Sequence, residues 1–130
     1  MIVDTGKVPL LASQISYFGT LSWVLFDSNT TITAATTFGA LSFAGWSGYV
    51  AVVASPWSTP VVPTPGGPAV TNQTTLPIFT NTSGSTVTFY GFALVDLAAS
   101  ILIAAVNLGL QSIPNGGNYV LAPAITDDQL

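Results

Sequence analysis

Residues 86–107, TVTFYGFALVDLAASILIAAVN, form the most apolar stretch of the chain. Their first half is dense in Val, Thr, Phe and Tyr, which suit a pleated, half-buried strand. Residues 101–106 are a short, continuous apolar run, which is typical of a strand buried on both faces. The pattern predicts two β-strands joined at residues 97–100, with Asp96 as a turn or cap residue. Whether the Val87/Phe89 side or the Tyr90/Phe92 side of the first strand fills the core stays open.

The same stretch allows a second interpretation, a membrane-spanning helix over residues 92–110. These 19 residues approach the length of about 20 that a bilayer requires. A spanning helix normally has Lys or Arg on its cytoplasmic flank, and the only basic residue of the chain is the distant Lys7. The flanks and the β-rich first half therefore favour the strands, and we expect no membrane partner.

The rest of the chain alternates short apolar runs with turn residues. Residues 1–18 predict an N-terminal arm with one short helix over residues 8–17, because apolar side chains recur there at near-helical spacing. The Thr-rich residues 30–37 predict either an edge strand or a loop. Further strands are predicted at residues 21–26, 45–53, 77–81 and 119–125.

Residues 55–68, SPWSTPVVPTPGGP, contain five prolines and predict a long surface loop, since proline lacks the N–H that a central strand needs. Long loops without secondary structure are often functional. Trp is favoured at the centres of interfaces, so Trp57 is a candidate intermolecular contact. Packing of Trp57 into the core by a folded-back loop is an equal alternative. The candidate contact residues are Trp57, Pro60, Val61, Val62 and Pro63.

Short strands separated by turn clusters, with almost no helix, predict an all-β fold, an antiparallel β-sandwich of jelly-roll-like form. The length of 130 residues suits one domain, so we expect residues 1–130 to form a single β-sandwich domain.

The charge balance is the least ordinary property of the chain. Hydrophobic residues make up 49% and charged residues only 5%, whereas about 25% is usual for soluble domains. Such a chain is expected to cover much of its surface by assembly, or to present a surface of Thr, Ser and Asn. The net charge of −4 with one Lys and no Arg excludes a phosphate-neutralising surface, so we expect no nucleic acid partner.

The side chains that usually carry catalysis are scarce. The sequence has no Cys and no His, which removes thiolates, the commonest general base and the commonest metal ligand. Asp27 is best explained as a turn residue, and the adjacent Asp127 and Asp128 would point in opposite directions in an extended chain. We therefore predict that the protein is not an enzyme, with no catalytic residues, no metal site and no cofactor.

The order of these features resembles a known family. The first features are the short N-terminal helix, a strand that ends in the Val-Leu-Phe-Asp sequence of residues 24–27, and the Thr-rich segment. They are followed by the Gly-Tyr strand at residues 48–50, Trp57, the turn at residues 79–81 and the Val-x-x-Tyr-Gly-Phe strand at residues 87–92. In this order they resemble the small capsid decoration (cement) proteins of tailed bacteriophages, which are related to β-sandwich modules of phage tail tips and tailspikes. The resemblance covers roughly residues 10–126.

The resemblance implies a β-sandwich that forms a homotrimer on the outer capsid surface of the virion. The major capsid protein would be its partner, bound where capsomers meet, so that the phage head is stabilised. The alternative that the resemblance leaves open is a receptor- or carbohydrate-binding tip of a tail fibre or tailspike, with a host-surface glycan as partner. Its stacking platform would come from Trp23, Trp46 and Trp57 with Tyr49 and Tyr90.

Overall fold

The computed structural model describes residues 8–9, 11–12, 14, 17, 20–121 and 124–127. Its described elements are mostly β-strands, and every strand pairing is antiparallel. In chain order the strands are β1 Ser22–Phe26, β2 Val52–Val53, β3 Ala69–Asn72, β4 Ile78–Thr80, β5 Val87–Asp96, β6 Ile101–Ile113, β7 Asn118–Val120 and β8 Ala124–Asp127, with one 3₁₀ turn at Phe38–Ala40. The all-β prediction is confirmed at this level.

The chain divides into two compact units. The first unit comprises Met1–Thr20, Ala54–Leu76 and Leu121–Leu130, and the second comprises Leu21–Val53 and Pro77–Val120. The first contains the two-stranded sheet β3–β8. The second contains a four-stranded sheet in the order β2-β1-β5-β6 and the two-stranded sheet β4–β7.

The predicted hairpin at residues 86–107 is confirmed. β5 pairs with β6 from Val87↔Ile113 to Asp96↔Ile101, and the turn lies at residues 97–100, where it was predicted. Asp96 acts as the predicted turn residue, because its Oδ1 accepts a hydrogen bond of 3.1 Å from the Ala99 N–H. Ser100 completes the turn with a φ of 55°. The alternative of a helix over residues 92–110 is wrong, because this stretch forms two strands.

The core of the second unit decides which side of β5 is buried. Ala93 and Val95 of β5 pack with Val24 and Phe26 of β1 and with Leu41. Phe89 lies on the same side of the predicted alternation and is fully buried, whereas Tyr90 and Phe92 are half-buried. Most of the buried side chains of β5 therefore lie on the Val87/Phe89 side, and on the other side Leu94 is buried at the level of Trp23 of β1.

The smaller sheet of the second unit is fixed by aromatic contacts and by Asn81. Phe79 of β4 stacks on Tyr49 with ring centroids 6.0 Å apart. The rings of Phe89 and Tyr119 pack in a T-shaped arrangement with centroids 4.8 Å apart. The buried Asn81 amide donates to the carbonyls of Ser85 (2.7 Å) and Ile113 (2.8 Å). Asn81 thus ties the open end of the β5–β6 hairpin to the end of β4.

The strand predicted at residues 45–53 is mostly wrong, because only Val52–Val53 pairs as a strand. Gly48 has a φ of 85°, and the Tyr49 N–H donates to Trp46 O at 2.9 Å, which closes a turn. The turn directs Tyr49 inward, where its hydroxyl accepts a hydrogen bond of 2.9 Å from the Leu25 N–H. The Thr-rich residues 30–37 form a loop, which was one of the two predicted alternatives.

The predicted N-terminal arm and helix lie largely outside the described residues. Of residues 8–17, the described positions Val8, Pro9, Leu11, Ala12, Gln14 and Tyr17 have helical backbone. The positions between them lie outside the described residues, so the bounds of a helix cannot be given and the helix stays a prediction. The last strand, predicted at residues 119–125, is found as two short strands, β7 and β8, of which β8 belongs to the first unit.

Candidate interaction surface

β6 is the outer strand of the four-stranded sheet and exposes a row of apolar side chains. It lies at the end of the sheet order, so its outer edge has no neighbouring strand within the described part of the chain. Large apolar side chains on it are 37 to 63% exposed, namely Ile101, Ile103, Val106, Leu108 and Leu110. The prediction that residues 101–106 form a strand buried on both faces is therefore wrong. Their apolar character fits a surface that is covered by another molecule.

The register with β5 assigns the side chains of β6 to the two faces of the sheet. Ile101 and Val106 lie opposite Asp96 and Phe92 on one face, and Leu102 and Ala105 lie opposite Val95 and Ala93 on the core face. The spacing of five residues between Ile101 and Val106 is compatible with one face only because the register shifts between Leu94 and Val95. Ile103 is the extra residue of this β-bulge.

A second and larger irregularity ends the regular part of β6. Residues 108–110 have no partner on β5 in the register, which jumps from Gly91↔Asn107 to Phe89↔Gln111. The Asn107 side chain holds this bulge, because its Oδ1 accepts from the Gly109 N–H at 2.8 Å and its Nδ2 donates to Thr30 O at 2.8 Å. Gly109 has a φ of 74°, which favours glycine. The part of the β6 edge before this irregularity thus comprises residues 101–106, with the single extra residue Ile103.

This edge lacks most of the devices that protect sheet edges. Exposed edge strands usually carry Lys or Pro, or are very short. Residues 97–126 contain no charged side chain, and the first proline after residue 100 is Pro114. Only the two bulges disturb the edge. An uncharged apolar edge of this kind is typical of strands that pair with another chain.

The predicted contact residues lie in the first unit, in a segment whose backbone is paired and which is therefore more regular than the predicted loop. Val61 pairs with Val70 through two backbone hydrogen bonds of 3.0 and 2.8 Å, and Ser58 N–H donates to Asn72 O at 2.7 Å. Pro60 is buried, Val62 is half-buried, and Val61 and Pro63 are exposed. This irregular hairpin presents two of the five predicted residues on its surface.

Trp57 is anchored within its own segment. Its side chain is half-buried, and its indole N–H donates to Ala54 O at 2.6 Å. Its backbone forms a bridge with the buried Gln73. This geometry supports the alternative in which Trp57 packs against a folded-back segment. The other two indoles are also engaged, since Trp23 is 7% exposed and Trp46 donates to Thr80 O at 3.4 Å.

Few titratable side chains lie in the described part of the chain. Within that part, no group of three or more His, Cys, Asp or Glu side chains is placed to hold a metal ion. Burial raises the pKa of Tyr49 above its usual 10.0, although the hydrogen bond from the Leu25 N–H acts in the opposite direction. Burial also raises the pKa of Tyr119. Both tyrosines remain neutral at physiological pH.

Comparison with protein-family models, with curated proteins and with solved structures gives no match for this chain. Among the described residues, no helix has the length and apolar character that crossing a membrane requires. The functional argument therefore rests on the residues themselves, and the β6 edge is the surface that sequence reasoning missed. No sequence signal singles this edge out: residues 97–126 carry no charge, but neither do residues 28–95.

Proposed function

We propose that the chain is a structural virion protein that decorates the outer capsid surface of a tailed bacteriophage. It would bind the major capsid protein where capsomers meet and stabilise the head. The observation that carries this proposal is the set of apolar side chains that a chain with only 5% charged residues leaves exposed, such as the 55% exposed Val61. A protein that acts by covering apolar surface requires no catalytic group, and each 100 Å² of apolar area buried contributes about 2.5 kcal/mol before association costs.

The antiparallel sheets agree with the β-sandwich that the resemblance implies, and the homotrimer rests on the resemblance alone. Aromatic contacts at Phe79 and Phe89 hold the two sheets of the second unit in place. The exposed Val61 and Pro63 provide the proposed contact surface in the first unit. The alternative of a glycan-binding tip has less support, because Trp23 is buried and the Trp46 and Trp57 indoles are half-buried and hydrogen-bonded.

The test is binding of the purified chain to heads of the phage that encodes it, after their decoration has been stripped. We expect co-sedimentation that saturates at a fixed number of copies per capsomer, together with a higher melting temperature of the heads. Absence of co-sedimentation at micromolar concentration would remove the proposal, and binding of a glycan array instead would favour the tail-tip alternative.

Two variants locate the capsid contact. Val61 is 55% exposed in the predicted contact segment, and Val120 of β7 is 48% exposed elsewhere. Val61→Asp should lower capsid affinity at least tenfold, because a carboxylate would be desolvated in the contact. Val120→Asp introduces the same charge at a matched exposure and should leave the affinity unchanged.

A further inference from the structure

We infer that the edge of β6 at residues 101–106 pairs antiparallel with the same edge of a second copy of this chain. The edge offers outward backbone N–H and C=O groups along an apolar strand with one neighbour in the described sheet. The pairing goes beyond the proposed function, since it does not depend on whether the chain binds a capsid.

The occupant follows from the bulge at Ile103. A regular foreign strand would meet one extra residue on β6 and lose register there. A second copy carries the same extra residue. A two-fold axis that runs between the two strands, at the level of the Ile103–Ala104 peptide bond, places the two bulges opposite each other. Pairing about this axis brings Ile101 opposite Val106 of the copy and Leu102 opposite Ala105 of the copy.

This register also matches the faces of the sheet. Ile101 and Val106 share one face of β6, and Leu102 and Ala105 share the other. Each cross-strand pair of the two-fold contact therefore lies on a single face, as antiparallel pairing requires. Ile101 and Val106 are 46% and 44% exposed, so each would cover an apolar side chain that the single chain leaves open.

The charges are compatible with a second copy although the chain is acidic. Two copies with a net charge of −4 repel each other over a distance. At the β6 edge, however, the nearest acidic residue is Asp96, and the two-fold arrangement places the Asp96 side chains of the two copies at opposite ends of the contact. Its carboxylate already accepts the Ala99 N–H. No acidic side chain faces another across the paired strands.

The first experiment measures the mass of the full chain by sedimentation equilibrium. We expect an even number of copies, a dimer for the chain alone or two linked trimers if the trimer also forms. Ala104 is exposed at the centre of the contact, and Ser112 is exposed beyond the second bulge on the same strand. Ala104→Lys should weaken the association at least tenfold, while Ser112→Lys, with the same added charge, should not. A monomer at 100 μM (about five orders of magnitude above a nanomolar Kd) or equal effects of the two variants would overturn the inference.

The second experiment tests the register without relying on a destabilising change. Because the chain has no cysteine, Ile101→Cys and Val106→Cys each introduce a unique thiol. Under oxidation, a mixture of the two proteins should give a cross-linked pair, and each protein alone should give far less. Equal cross-linking of Ile101→Cys with itself would contradict the register, and no cross-link in the mixture would contradict the contact. Circular dichroism confirms that each variant is folded.

The two proposals fail separately. If the chain is monomeric and Ala104→Lys lowers capsid affinity, the β6 edge binds a capsid protein strand, which overturns the self-pairing and leaves the proposed function standing. If the cross-link forms and the chain does not bind heads, the self-pairing holds and the proposed function is removed.

Discussion

β5 and β6 are the two strands of one hairpin, are similarly apolar and are joined by a four-residue turn, yet they have opposite environments. β5 lies between β1 and β6, and half of its ten residues are buried. Within the described part of the chain β6 has one neighbouring strand, and of its 13 residues only Ile113 is buried. The difference follows from position in the sheet, because a central strand is covered on both edges whereas an outer strand is not.

The comparison shows that apolar composition alone does not distinguish a core strand from an interface strand. The alternation of β5 is interrupted by the buried Leu94, and the alternation of β6 is interrupted by two bulges. Both patterns are compatible with a folded sheet, but only β6 leaves its apolar side chains exposed to contact with another molecule. Substitutions at matched apolar positions of the two strands should therefore differ sharply in their effect on the free energy of unfolding.

The largest expected effect is at Phe89 of β5. Phe89→Ala removes a fully buried ring that contacts Tyr119, and such truncations cost about 3–5 kcal/mol of unfolding free energy. Leu110→Ala on β6 removes a side chain that is 63% exposed and should change the free energy by less than about 0.5 kcal/mol. Urea unfolding followed by circular dichroism measures both. Similar costs for the two variants would contradict the assigned environments.

The next effect tests how closely β5 is enclosed by its neighbours. A Cβ at Gly91 would overlap Val106 O and lie 2.5 Å from Phe26 Cζ, so Gly91→Ala should cost about 1–3 kcal/mol through overpacking. Gly39→Ala is the control, because nothing lies within 4 Å of its added Cβ, and its cost should stay within about 0.5 kcal/mol. Thermal unfolding of both variants checks this. A neutral Gly91→Ala would mean that β1 and β6 lie farther apart than described.

A smaller effect is expected at the bulge of β6. Asn107→Ala removes the hydrogen bonds to Thr30 O and from the Gly109 N–H, which should cost about 1 kcal/mol. It should also speed hydrogen exchange at Gly109 while leaving β5 protected. Ser112→Ala, an exposed change on the same strand, serves as the control and should be neutral. Equal protection of Gly109 in both variants would show that the side chain does not hold the bulge.

The smallest effect within the physiological range is that of pH. The sequence has no His and no Cys, so stability should be nearly constant from about pH 6 to 9. The pKa of Tyr49 is raised in the folded state because burial disfavours the phenolate. The corresponding stability is complete below the usual pKa of 10.0 and is lost as the pH rises through the folded-state pKa.

We therefore expect alkaline unfolding to start above about pH 10 near β1, where Tyr49 accepts from the Leu25 N–H, and not on β6, which contains no ionisable side chain. Tyr49→Phe should flatten the alkaline limb of the stability profile. If the loss of stability at alkaline pH is the same in Tyr49→Phe as in the unchanged protein, another group is responsible for it.

The sequence was sufficient for the parts of the fold that depend on local chemistry. The β5–β6 hairpin, its turn at residues 97–100 and the role of Asp96 follow from strand propensity and turn residues over a short distance. The strand predicted at residues 45–53 failed because the positive φ of Gly48 turns the chain and buries Tyr49 through long-range packing. The prolines of residues 55–68 correctly excluded a central strand, but the backbone pairing of Val61 with Val70 could not be anticipated from them.

The candidate site was the least predictable part. Trp57 was singled out by residue type, and its environment depends on Ala54 and Gln73, which no periodicity connects to it. The exposure of β6 depends on the order of strands in the sheet, which is set by contacts between distant segments. Residues 101–106 look the same in sequence whether another strand of the same chain or of a second molecule lies beside them.

The two edges of the four-stranded sheet are very unequal in length. β6 has 13 residues, whereas β2 at the opposite edge has only Val52 and Val53. Once two β6 strands have paired, the sheet can be extended only through these two-residue edges, which are too short to align a further strand. Growth of this four-stranded sheet by edge pairing is thereby closed after one step. A chain rich in apolar strands can in this way form a finite assembly without supplying a template for cross-β filaments.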